Sequence, residues 1–299
     1  MSRSAFRFAA ILLAVSASTM WWTAASGATA PATSAPRRPT ASAATAAGYD
    51  IVDFAGGVRA FGQAKKFGDL LGRPLAAPIL GMAITPSKQG YWLVGNDGGI
   101  FAFGDAAFYG STGGLHLNKT ITGIESTPTG HGYWLVAGDG GIFAFGDAKF
   151  YGSTGAIHLN KRIVDIAATP SGHGYWLVAR DGGIFAFGDA KFYGSTGAIS
   201  LNQPIVGMAA SFHGDGYWLV AADGGIFSFG NAPFHGSTGA LHLTQPIVGM
   251  ARTPVGDGGY WLVADDGGVF SFGTAAFAGS LAGERIPGGQ VAGIVGVNG

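Results

Sequence analysis

The chain has 299 residues, of which 54 are glycine, 47% are apolar and only 11% are charged. The glycines follow no three-residue period, which excludes a collagen-like rod. Seventeen basic residues balance 17 acidic ones, and there is no cysteine; that removes a nucleic-acid-binding basic stripe, disulfide staples, every thiol mechanism and a lipidated N-terminal cysteine.

The N-terminus reads as a secretory signal over residues 1–28. Arg3 and Arg7 precede an apolar run from Phe8 to Trp22, and Ala24, Ala25, Ser26, Gly27 and Ala28 supply the small residues of a cleavage site. The strictly apolar run is shorter than the ~20 residues of a spanning helix, so the alternative of an uncleaved anchor is the lesser one. Residues 29–47 are rich in Ala, Thr, Ser and Pro and read as a flexible linker. Without the first 47 residues the remainder has 13 basic against 17 acidic residues, a net charge of −4.

Residues 48–299 repeat one pattern. Tyr91, Tyr133, Tyr175, Tyr217 and Tyr260 each open a Tyr-Trp-Leu-Val run, at intervals of 42, 42, 42 and 43 residues, and Tyr49 opens a worn sixth copy. A fixed period of this size predicts a repeat architecture. Within one unit, Arg162–Thr169 is a first strand and Tyr175–Ala179 a second, rich in aromatic and β-branched residues. Asp181-Gly-Gly183 supplies the positive φ of a tight hairpin, Ile184–Phe187 is a third strand, and Lys191–Tyr193 a short fourth. Four short antiparallel strands in about 42 residues predict a propeller blade. Tyr-Trp-Leu-Val is apolar on both faces, so each sheet needs a neighbour on either side. On the first strands Gly81/Ala83, Gly207/Ala209 and Gly249/Ala251 alternate with Met82, Met208 and Met250, setting large residues against small ones between blades. The worn copy lacks its first strand; Gln290–Val297 supplies one at the other terminus. The expected fold is thus all-β: a six-bladed β-propeller closed by the C-terminal strand, which completes blade one and removes exposed sheet edges.

The stretch from Ile163 through Gly174-Tyr-Trp-Leu-Val to Asp181-Gly-Gly-Ile-Phe-Ala-Phe-Gly-Asp-Ala-Lys-Phe-Tyr-Gly-Ser195 resembles the repeats of secreted actinobacterial propeller proteins, which often accompany cell-wall-acting modules. It is more distantly similar to the regulator-of-chromosome-condensation repeat, with Phe187-Gly188 where that family has Trp-Gly. The long C-terminal loops and seven blades of the latter are not matched, so no chromatin role is implied. The resemblance carries no catalytic motif, and no cofactor is expected.

The chemistry-bearing residues fall into sets. Asp97, Asp139, Asp181, Asp223 and Asp266 of the Asp-Gly-Gly turns are expected to cap their own turns; one per blade is too sparse for calcium, and no two histidines have zinc-ligand spacing, so no metal is expected. Ser111, Ser153, Ser195, Ser237 and Ser280 recur without a nucleophile elbow. The blade-linking loops carry His116, Asn118, Lys119, His158, Asn160, Lys161, Asn202 and His242, a recurring hydrogen-bonding set beside the Asp-Gly-Gly turns and the expected ligand-binding face. Two departures stand on first strands: Glu125 replaces a recurring Ala and Asp165 a recurring Gly. Paired carboxylates at a channel suit acid–base work; they equally suit channel water or different heights. The expected function is a monomeric, exported, non-enzymatic module presenting repeated loops to a cell-envelope glycan or a protein partner, with no nucleic-acid role and membrane attachment only through an uncleaved signal segment. The rival is an exported hydrolase or lyase using Glu125 and Asp165.

Overall fold

The computed structural model describes residues 47–298; the expected signal segment and nearly all of the expected linker lie outside them. Every regular element among the described residues is a strand. Blade one contains β1 (Ala47–Asp53) and β2 (Val58–Phe61). Blade two is β3 (Ile79–Ile84), β4 (Gly90–Gly95) and β5 (Ile100–Gly104). Blade three is β6 (Ile121–Ser126), β7 (Gly132–Ala137) and β8 (Ile142–Gly146). Blade four is β9 (Ile163–Ala168), β10 (Gly174–Ala179) and β11 (Ile184–Gly188). Blade five is β12 (Ile205–Ala210), β13 (Gly216–Ala221) and β14 (Ile226–Gly230). Blade six is β15 (Ile247–Arg252), β16 (Gly259–Ala264) and β17 (Val269–Gly273). The last strand, β18 (Val291–Asn298), crosses back to blade one.

That closure matches the expectation from the chain ends. β18 pairs antiparallel with β1, from Ala47 opposite Asn298 through Ile51 opposite Ile294, in a sheet ordered β18-β1-β2. The inner strands β18, β3, β6, β9, β12 and β15 touch in sequence and return to the start, so the blades form a closed ring. Ala47, at the end of the expected linker, already belongs to the paired strand.

Each sheet has three strands rather than the expected four. The fourth segment is an extended strap whose backbone is held by side chains instead of a ladder. In blade three Trp134 Nε1 donates to Lys149 O at 2.7 Å. Tyr175 of blade four accepts from Tyr151 N at 3.1 Å and donates to Gly152 O at 2.7 Å. The buried aromatics therefore act twice, as apolar bulk and as the polar partners that a fourth strand would otherwise have needed. The same pins recur around the ring. Tyr49 takes Ala278 N and Gly279 O, tying the strap of blade six to blade one as a second closure. Gly152 has no alternative residue: its φ is 140°, and a Cβ there would meet Phe187 Cδ1 at 2.4 Å.

Packing between blades follows the large-on-small pattern. Ala167, Trp176 and Val178 on one face of blade four meet Met208, Tyr217 and Leu219 of blade five. Trp92, Trp134, Trp176, Trp218 and Trp261 are fully buried, which excludes them as sugar platforms. Burying about 150–250 Å² of aromatic surface stabilises by roughly 4–6 kcal/mol per residue, before allowance for a compact unfolded chain. Blade one departs from this scheme: Asp50 stands where the other blades have tryptophan, and it is equally buried.

Candidate functional site

The strands run between two faces of the ring. One face carries the linking loops and Asp-Gly-Gly turns, the other the hairpins between first and second strands, and the inner strands line a channel between them.

On the first face the Asp turns are built as expected. Asp139 Oδ1 accepts from Gly141 N at 3.0 Å, and Asp97, Asp181, Asp223 and Asp266 repeat the bond at 2.9–3.1 Å. Beside one such turn His116, Asn118 and Lys119 line a cleft of about 240 Å³ with Asp139 and Phe143. The repeat-related cleft of about 270 Å³ joins Asn202 and Gln203 to Asp223 and Phe227. His158, Asn160 and Lys161 are exposed in the loop between these two, and His242 is exposed in the last loop, where Thr244 and Gln245 replace the Asn-Lys pair. The structure therefore gathers His116, Asn118 and Lys119 in one cleft and places Asn202 in the other, while His158, Asn160, Lys161 and His242 stand exposed outside both. Sequence reasoning missed the apolar half of this surface. Leu115, Ile157, Ile199 and Leu241 on the same loops, and Phe108, Phe150, Phe192, Phe234 and Phe277 on the straps, are 57–62% exposed. The signal was their recurrence at fixed places in successive repeats; of these only the strap phenylalanines were assigned, to a fourth strand.

The channel separates the two carboxylates singled out from the sequence. Asp165 lines the narrow waist, a space of about 170 Å³ ringed by inner-strand glycines. Its Oδ1 accepts from Ile166 N at 2.9 Å and its Oδ2 from Met208 N of the next blade at 3.0 Å. Both oxygens are thus engaged by backbone amides, and Asp165 acts as a clamp between blades four and five. Burial raises its pKa to about 6 in spite of these two bonds.

Glu125 lies further along, at the mouth on the hairpin face, where it lines a cavity of about 370 Å³ with Lys88 and Arg252. Glu125 is half-buried there, and desolvation, with help from the Asp165 charge, raises its pKa to about 8. Lys88 is pulled down by burial and by Arg252. Arg252 donates through Nη1 to Thr253 O at 3.1 Å and lies over the Phe212 ring, 5.4 Å from its centroid. Among the described residues no group of three or more His, Cys, Asp or Glu is placed to hold a metal ion.

No family model matches the chain, and no curated protein does. Solved structures match in large number. One is the β-propeller domain of Cps50 (Swd1) from Myceliophteria thermophila, 11% identical, with a TM-score of 0.51 over 79% of this chain and 83% of that one. At that identity the likeness concerns the fold alone. The chain is a six-bladed β-propeller repeat protein.

Proposed function

We propose that this propeller is an exported, monomeric binding module, not an enzyme, and that its linking-loop face recognises a glycan of the cell envelope. The observation that carries the reading is the recurrence of one cleft, built from a loop amide or amine, a turn aspartate and a phenylalanine, at two blade junctions, two/three and four/five. Asparagine, lysine and aspartate offer donors and acceptors to sugar hydroxyls. The neighbouring exposed Leu and Ile side chains give an apolar surface on which a sugar ring can rest. Several weak copies on one rigid disc add avidity that a single cleft lacks. The resemblance to secreted actinobacterial propeller repeats supports the choice of envelope glycan over a soluble partner. Acid–base catalysis by Glu125 and Asp165 is not adopted, because Asp165 already has both oxygens on backbone amides.

The test is retention of the full chain on immobilised cell-wall glycan, with the triple variant Asn118→Ala, Asn160→Ala, Asn202→Ala alongside. Avidity is expected to fall at least tenfold at unchanged melting temperature. Absence of retention by the parent protein, or undiminished retention of the triple variant, refutes the reading.

A further inference from the structure

We propose that the channel mouth on the hairpin face is a second, separate binding site, for a small molecule bearing a carboxylate or phosphate, with that anionic group held between Lys88 and Arg252.

Three departures from the repeat meet there. Lys88 stands where the other hairpins have Gly130, Gly172, Gly214 and Gly256. Arg252 stands where the other first strands have Ile84, Ser126, Ala168, Ala210 and Gly296, and Glu125 where they have Ala83, Ala167, Ala209, Ala251 and Val295. They come from blades two, six and three, and only ring closure brings them to one cavity of about 370 Å³. That is the scale of a pocket for a small ligand.

The fold does not need a lysine at position 88. Lys88 is the one non-glycine residue with positive φ among those described, at 61°. The left-handed region disfavours a side chain, and the glycine of every other hairpin meets the geometry without strain. Backbone strain of this kind is retained where a site uses it. The Lys88 ammonium is half-buried and makes no hydrogen bond or ion pair with another described residue; the one ion pair among them joins Lys66 to Asp69.

No acid among the described residues forms an ion pair with either cation. Glu125 lies beyond ion-pair distance of both cations, and burial keeps its carboxyl largely protonated at neutral pH. Asp257, the other acid near Arg252, accepts from Phe212 N. Arg252 is held in place by Thr253 O and the Phe212 ring. The mouth thus offers an ammonium and a guanidinium lining one cavity beside a carboxyl that burial keeps from ionising readily. Lys88 and Arg252 are donors only, and the group that satisfies them together is an anion.

Calorimetric titration of the full chain at pH 7 with inorganic phosphate and, separately, with citrate tests this, using Lys88→Gly and Arg252→Gln. Saturable one-to-one binding of at least one anion is expected, and the stronger of the two identifies the ligand group. Lys88→Gly restores the glycine of the other hairpins, so it is expected to weaken binding tenfold or more while the melting temperature stays level or rises; Arg252→Gln should weaken binding comparably. The proposal is overturned if neither anion saturates a site, if Lys88→Gly binds as the parent does, or if Lys88→Gly lowers the melting temperature, which would make Lys88 a stabilising residue. None of these outcomes depends on glycan retention at the opposite face.

Discussion

Replacing Asp50 by asparagine should make the protein more stable, and increasingly so as the pH rises. Asp50 occupies a tryptophan position in the worn first repeat, is 1% exposed, and leaves Oδ1 without a hydrogen-bond partner. Desolvation raises its pKa from 3.8 to about 7. The folded state then holds the proton more tightly than the unfolded chain, so Asp50 erodes stability as pH climbs from about 4 to about 7 and the loss is complete above that. At about 1.4 kcal/mol for each tenfold step the full loss is about 4 kcal/mol, a large share of the 5–15 kcal/mol typical of a domain. Asparagine keeps the shape and cannot ionise. The advantage of Asp50→Asn over the parent should therefore grow by about 3 kcal/mol between pH 5 and pH 8. Guanidinium unfolding of both proteins at the two pH values measures it. Glu125 and Asp165 are raised as well, so both proteins keep a further slope of the same sign, which cancels in the difference. A pH-independent difference between variant and parent refutes the argument.

Two further perturbations probe the strap and the closure. Tyr175→Phe removes the hydroxyl that joins Tyr151 N and Gly152 O; a loss of about 1–3 kcal/mol and faster amide exchange at Tyr151 are expected, and exchange unchanged from the parent would show that the strap is held by packing alone. A chain ending at Gln290 lacks β18, which exposes the edge of β1 along Ala47–Asp53; it should lose the cooperative transition, and a parent-like melting curve would refute ring closure as the source of stability.

Much of the architecture was legible along the chain because a propeller repeats itself. The 42-residue period set the blade count, the two-faced Tyr-Trp-Leu-Val strands demanded neighbours on both sides, and the unmatched β18 strand told where the ring shuts. The fourth strand was misjudged for a local reason: Lys191-Phe-Tyr193 has strand composition, but its backbone partners are an indole and a phenol, and composition does not show which groups satisfy a backbone amide.

The sites divide in the same way. His116, Asn118 and Lys119 lie within four residues of one another, so their shared cleft follows from local sequence. Lys88, Glu125 and Arg252 are far apart in sequence, and nothing in their spacing relates them. Each blade places its inner strand at the axis, and closing the ring turns equivalent heights on separate blades into neighbours. The make-up of each linking loop is therefore set by the sequence itself, whereas the charged mouth of the channel exists only because six blades meet around one axis.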